Sequence, residues 1–285
     1  AHPQAAALIQ HSFDQLGERR LEALSQAYAA QPASFFDDME VQIAAVLRAS
    51  GRDFATCLAD LDAFNALTPE VENDAWYDAD EAFTSMHLDA LLLGFARRRL
   101  DAVARQIRRV PLEGASFLDV GSGSGRLADL LLDEHRDWRG ALADRSAAAT
   151  RFASGYLQAR DYAGRATCHQ GSLARLPFAA ASFDVVIAAE VLEHTDAPQA
   201  AVAELMRVMK PEGRLAISLP IDLDIAMHPT VFTDQESILR FFGGLALEPV
   251  MTEVVAPDDS LDAICDVFPG FRGCLNAVFV RSSGR

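Results

Sequence analysis

One segment constrains this chain more than any other: Phe117-Leu-Asp-Val-Gly-Ser-Gly-Ser-Gly-Arg-Leu-Ala128, set between an apolar run and a stretch of helical periodicity. Gly121, Gly123 and Gly125, at alternate positions, let the backbone turn sharply out of a strand and approach a ligand with no Cβ in the way. A strand feeding through such a turn into a helix is the opening of a βαβ unit, whose sheet is parallel and covered by helices. The spacing departs from the dinucleotide fingerprint, because GxGxxG would need glycine where Arg126 stands. No Lys-Ser/Thr pair follows the glycines, so the loop does not cradle a nucleotide triphosphate either.

From Ser116 onward short apolar runs alternate with helical stretches. Strands are predicted at Ser116–Val120, Ala141–Ala143, Ala166–His169, Phe183–Ala189, Arg214–Leu219, Leu247–Val255 and Asn276–Arg281. Helices are predicted over Leu127–Leu132, Ser146–Gln158, Asp196–Met209 and Thr233–Phe242, the third opened by Pro198 and stopped by Lys210-Pro211-Glu-Gly213. Residues 1–112 read as helical instead, with apolar residues at three- and four-residue steps from Leu8 to Leu47, punctuated at Gln31-Pro32 and Ser50-Gly51. The clearest helix is predicted from Thr84 to Arg109, capped by Thr84 or Ser85, with an apolar stripe from Leu88 to Ile107. It leads almost directly into the first strand, so this helix should fold together with the sheet, whereas residues before about Ser50 should be more dispensable. Glu70 to Glu81, an acidic run around Trp76 and Tyr77, reads as a solvated connector.

Composition narrows the partners. Half the residues are apolar, and 25 basic against 41 acidic residues give a net charge of −16, a poor match for nucleic acid or an anionic membrane face. No stretch approaches a membrane span, no basic-then-apolar leader opens the sequence, and the four cysteines stand too far apart for CxxC pairs, so a reduced cytoplasmic setting is expected.

The strand after the glycine loop ends in Asp144, 25 residues beyond Asp119, where a carboxylate can accept both hydroxyls of a ribose. Here residues 80–285 resemble the class I S-adenosylmethionine-dependent methyltransferases, in particular the group of ubiquinone- and menaquinone-type small-molecule enzymes. The glycine run is similar to that family's first motif, and Ala-Asp144-Arg145-Ser to its ribose acid. Gln170-Gly-Ser-Leu-Ala-Arg-Leu-Pro-Phe178 resembles the motif framing adenine, with Ser172 where the family usually has Asp. Ser182-Phe-Asp-Val-Val-Ile-Ala-Ala-Glu-Val-Leu-Glu-His194 and Val208-Met-Lys-Pro-Glu-Gly-Arg214 complete five matches in order. The resemblance implies an α/β, doubly wound, seven-stranded sheet with strand seven antiparallel, preceded by an all-helical cap. Residues 1–112 would form the cap and contribute to the acceptor site, and 113–285 the donor-binding core. It implies S-adenosyl-L-methionine as donor and S-adenosyl-L-homocysteine as product. Asp119, Gly121, Gly123, Gly125, Asp144, Arg145, Ser172, Leu173 and Glu190 would form the donor site. Small-molecule acceptors are implied, and a homodimer is an arrangement the resemblance admits.

Methyl transfer is an in-line displacement, and an acceptor hydroxyl or ammonium must also lose a proton. His194, just after the fourth strand, is the expected base. Glu190, Glu193 and His194 form ExxEH, read as one helical face, and with His228 they resemble the divalent-metal set of ubiquinone-type and small-RNA 2′-O-methyltransferases; the metal-free reading is preferred. His11, His87, His135 and His169 are read as structural or surface residues, and Trp76, Tyr77 and Ile264–Phe271 as acceptor walls. Methyl transfer to an O, N or C atom of a small molecule is thus the leading reading. The rivals are a nicotinamide oxidoreductase, a methyltransferase acting on a peptide or carrier-protein-bound substrate, and a non-catalytic S-adenosylmethionine binder.

Overall fold

The structure is a computed structural model that describes residues 2–14, 18–66, 77–110, 112–262, 264–268 and 270–282. Among the described residues six helices come first: α1 (Pro3–Asp14), α2 (Glu18–Ala29), α3 (Ala33–Ser50), α4 (Phe54–Asn65), α5 (Asp80–Leu91) and α6 (Phe95–Arg108). The α/β part comes next as β1 (Ser116–Val120), α7 (Arg126–Glu134), β2 (Arg139–Asp144), α8 (Ala147–Ala159), β3 (Ala166–Gln170) and β4 (Phe183–Ala189). It closes with α9 (Pro198–Val208), β5 (Met209–Pro220), α10 (Gln235–Gly243), β6 (Leu247–Val255), α11 (Ile264–Val267) and β7 (Cys274–Arg281). The strands form one seven-stranded sheet in the order β3-β2-β1-β4-β5-β7-β6, with β7 antiparallel to both neighbours. Strand order reverses between β1 and β4, which sets a crevice at their carboxyl ends.

Period-two burial assigns each face of the sheet its own core. Leu118, Val120, Val186, Ile217, Leu275 and Phe279 pack under α9 and α10. Phe117, Val185, Ile187 and Val278 meet α6, α7 and α8 on the other face, and that cluster continues without a break into Leu8, Met39, Ile43, Val46, Leu61, Phe83 and Leu88 of the cap helices. Helices α3 and α8 approach closely enough that a Cβ on Gly155 would lie 3.3 Å from the Ala49 Cα. The expectation that residues before Ser50 are dispensable therefore gives way, since Met39, Ile43 and Val46 of α3 are almost wholly buried.

The predicted Thr84–Arg109 helix is two helices. Leu92, Leu93 and Gly94 break it, the cap of α5 at Leu92 being extended. The unbroken leucines hid this break. Helix α5 starts at Asp80, and Thr84 and Ser85 lie buried within it, Ser85 Oγ donating to the Glu81 carbonyl instead of capping. Helix α6 is braced by arginines: Arg98 on Asp262 at 2.5 Å, Arg99 on Glu190 at 2.8 Å, Arg105 on Glu253 at 2.7 Å, and Arg108 on Glu134.

Ile43→Ala should lower unfolding free energy by about 2–4 kcal/mol, because a fully buried side chain leaves a cavity where α3 meets the sheet-side helices. Denaturant titration is the check; a loss below about 1 kcal/mol would show that α3 is peripheral to the core.

Candidate functional site

Strand β1 delivers the chain to Gly121 at φ +68°, whose N–H donates to the Ala143 carbonyl at 2.8 Å. A Cβ at this position would lie 2.2 Å from Cγ2 of Val191, so glycine is required both by conformation and by the close approach of the segment after β4. Gly123, at φ +50°, donates its N–H to Asp144 Oδ2 at 2.9 Å, while Ser146 N–H holds Asp144 Oδ1 at 2.9 Å. The ends of β1 and β2 are thereby tied through one carboxylate. Asp119 is buried in β1, and burial together with the neighbouring Asp144 pushes its carboxyl up to about 7. Gly125 caps α7 in the left-handed region.

The rest of the predicted donor set is more open. Arg145 is exposed at the end of β2, its carbonyl accepting from Gln170 Nε2. Ser172 is exposed and bridges Arg175, and Leu173 is half-buried against the α9-side core. Phe83 and Met86 of α5 stand within about 4 Å of where a Gly123 Cβ would be, so the cap walls the glycine loop. Their spacing marks only an apolar helix face, which is why sequence reasoning missed this role.

The ExxEH segment is not a helical face. Glu190 leaves β4 at φ +56°, and only Leu192–His194 form a single 3₁₀ turn. The two glutamates consequently part company. Glu190 accepts from Ser218 Oγ at 2.5 Å and from the Cys274 thiol at 3.4 Å, and pairs with Arg99 at 2.8 Å. Glu193 turns inward, 1 % exposed, with its Oε2 lacking a hydrogen-bond partner; burial pushes its carboxyl up to about 8. Glu193, His194 and His228 offer ligand atoms that all lie within 4.8 Å of one another, without Glu190. The loop after β5 brings His228 in, Thr230 N–H donating to the Glu193 carbonyl at 3.2 Å. His194 Nδ1 sits 2.9 Å from the Met227 carbonyl and His228 Nδ1 3.0 Å from the Leu223 carbonyl, contacts that fix the orientation of both rings. Tyr77 packs edge-on against His194 at 6.2 Å between centroids; Trp76 and most of the acidic run lie outside the described residues.

The other singled-out residues fall elsewhere. His11 bonds Asp62, His169 contacts Thr167, His135 stacks on Trp138, and His87 is fully buried against Tyr156, which holds its ring well below the ordinary histidine value. In the 264–271 stretch, Phe271 packs edge-on against Phe95 of α6, and Asp266 pairs with Arg20 of α2.

A family model described as a methyltransferase domain matches residues 118–217. A ubiquinone biosynthesis O-methyltransferase of Xylella fastidiosa is 30% identical over 183 residues, which span 64% of this chain and 67% of that protein. The chain belongs to the S-adenosylmethionine-dependent methyltransferases. A mitochondrial protein of Schizosaccharomyces pombe with the same name is 30% identical over 66% of this chain and 64% of its own length. The chain spans about half to two thirds of the length of the curated relatives it matches. Among solved structures, geranyl diphosphate methyltransferase in complex with S-adenosylmethionine superposes with a TM-score of 0.55 at 13% identity, over 70% of this chain and 90% of that one; this likeness is one of fold.

The family's donor is S-adenosylmethionine, and the residues fit it. Asp144 uses one lone pair of each oxygen on the loop, which leaves a second on each able to accept from hydroxyls such as those of a ribose. Gly121→Ala should cost about 2–4 kcal/mol of stability, combining left-handed strain with overlap on Val191. Adding Val191→Ala should recover the overlap but leave about 1 kcal/mol. Thermal melts showing an unaffected single variant would remove the steric argument.

Proposed function

We propose that this chain transfers the methyl group of S-adenosylmethionine to a hydroxyl of a small phenolic or quinol-type acceptor, with His194 as the base. The observation carrying this reading is the convergence of Glu193, His194 and His228 beside a turn that touches the glycine loop. Two further facts support it. The relatives are named for O-methylation in ubiquinone biosynthesis, and a net charge of −16 suits a neutral or cationic small molecule better than nucleic acid. In this reading residues 1–112 shape the acceptor side and 113–285 bind the donor. No helix among the described residues is long and apolar enough to cross a membrane, and a cytoplasmic site of action belongs to the proposal.

When bound, the donor supplies a sulfonium-activated methyl group, and the tasks left to the chain are alignment, exclusion of water and removal of a proton. Asp144 would hold the ribose hydroxyls, Asp119 the donor's ammonium, and Arg145, Ser172 and Leu173 would border adenine. Tyr77 would wall the acceptor beside His194, whose ring is set by the Met227 carbonyl to take the acceptor proton. Glu190, committed to Arg99, Ser218 and Cys274, would serve by holding the turn.

The same cluster favours a second reading. One buried carboxyl with an unpartnered oxygen and two imidazoles oriented by carbonyls are a donor set suited to a divalent ion, which would supply Lewis-acid activation of the acceptor hydroxyl. His194→Ala should lower kcat by about 10²–10⁴ while leaving donor affinity within about twofold. Assays with EDTA, Mg²⁺ and Zn²⁺ separate the two readings, since activity indifferent to EDTA removes the ion and leaves the base. Wild-type kcat in the variant removes both.

Donor binding should also depend on pH. Asp119, raised to about 7, is largely neutral below that value, and neutralisation removes its attraction for an ammonium. Donor affinity should therefore tighten as pH rises from about 6 to 8, the change flattening in Asp119→Asn. The sign is opposite for the stability of the ligand-free fold: the contribution from neutral Asp119 is complete below the ordinary carboxyl value and is lost as pH rises through about 7. Calorimetric affinities that do not move over this range would take Asp119 out of the donor site.

A further inference from the structure

We propose that Arg99 is a positioning residue: through its ion pair with Glu190, helix α6 of the cap sets the turn that carries Glu193 and His194 into the cleft. The proposal rests on the functional reading in taking those two residues as the working groups.

The turn does not hold itself. Glu190 occupies the left-handed region at φ +56°, which a residue bearing a Cβ adopts only when its surroundings impose it. Those surroundings are visible on three elements. The Glu190 N–H donates to the Ser218 carbonyl at 2.9 Å, Ser218 Oγ donates to Oε1 at 2.5 Å, and the Cys274 thiol donates to Oε2 at 3.4 Å. Ser218 belongs to β5, which pairs with β4, and Cys274 to β7, the next strand beyond β5 in the sheet order. The charged contact alone comes from outside the sheet: Arg99 of α6 meets Oε2 at 2.8 Å. The side chains are 20 % and 23 % exposed, so this pair is far less screened than a surface salt bridge, and loss of the guanidinium would leave a half-buried carboxylate on weak donors.

The residues after Glu190 transmit the constraint. Val191 fills the space above Gly121, and the His194 N–H donates to the Val191 carbonyl at 3.2 Å. Moving Glu190 would move the wall of the glycine loop and the His194 ring together. ExxEH read as a helix assigns Glu190 to a ligand; in the fold its carboxylate answers to the cap.

Hydrogen exchange of peptides covering 186–197, followed in the ligand-free protein by mass spectrometry, tests the turn directly. Arg99→Ala should speed exchange there by about tenfold relative to peptides from β1 and β5. At saturating donor and acceptor it should lower kcat by about tenfold or more, because a misplaced base costs rate even in the filled site. Arg99→Lys should restore part of both effects, and Arg99→Ala combined with Glu190→Gln should be no worse than the more damaging single change. Unchanged exchange overturns the proposal. So does exchange raised equally across the sheet, which would mark general loosening. Loss of donor affinity with kcat intact at saturation would overturn it too, making Arg99 a direct donor contact. The exchange measurement needs neither donor nor acceptor, so a chain found to have no turnover would defeat the functional reading while leaving the turn fully tested.

Discussion

Helix α6 cannot be turned about its axis without burying an arginine, and much else depends on that restriction. Its apolar side seats Ala102, Val103 and Ile107 in the core at almost no exposure, which supplies most of the energy of docking. The arginines contribute little each, about 0–1 kcal/mol for pairs as open as Arg105 with Glu253. Their effect is on orientation. Arg98, Arg99, Arg105 and Arg108 leave α6 toward the β6–β7 connection, the end of β4, strand β6 and helix α7, so any other rotation would strand charges away from carboxylates. Once α6 is set, the short Leu92–Gly94 break sets α5 across the glycine loop, and the connection through Val110 and Ala115 delivers β1 into the middle of the sheet.

The cleft beneath these helices buries three acids. Asp119, Asp144 and Glu193 all lie higher than ordinary carboxyls, in each case chiefly because burial disfavours the charged form. A purely structural interior would be more stable with apolar residues there. The functional reading proposed above accounts for this cost, because a bound donor or acceptor would bring hydrogen-bond donors and positive charge to these carboxyls. At Asp144 the Ser146 and Gly123 amides pull the other way, since both favour its ionised form.

Legibility in the sequence followed locality. Strands β1, β4 and β6 match their predicted bounds because each is a compact apolar or alternating run between turn residues, and Asp144 ends β2 where a ribose-binding acid was expected. Strand β5 begins five residues earlier than predicted, at Met209. Pro211 seemed to forbid a strand there, but it falls where the register with β4 shifts between Phe183 and Val185, and a ladder N–H is not demanded at such an irregularity. The ExxEH turn was misread for a different reason. Its spacing is helical, and the left-handed Glu190 is imposed by Ser218, Cys274 and Arg99, residues 28, 84 and 91 positions away in the chain. No local pattern encodes them. The three-residue cluster was partly legible: the family resemblance and its place after the fifth strand grouped His228 with it, whereas the diversion of Glu190 needed the fold.

The bounds of the matched methyltransferase domain fall along a physical line. The matched domain, residues 118–217, contains the glycine loop, Asp144 and the turn through His194, all on parallel strands whose register leaves little freedom. Outside it lie Tyr77, Arg99 and His228, and the cap and the β6–β7 connection are tied to one another by side chains. Arg98 reaches Asp262, Arg20 reaches Asp266, and Phe95 meets Phe271 edge-on at 5.5 Å, so these two segments form a single wall. Asp262 is nearly inaccessible and also accepts from the Asp258 N–H at 2.6 Å, which makes its contact with Arg98 the firmest of these links. A wall assembled from loop and helix ends can change its shape with substitutions that leave the sheet untouched.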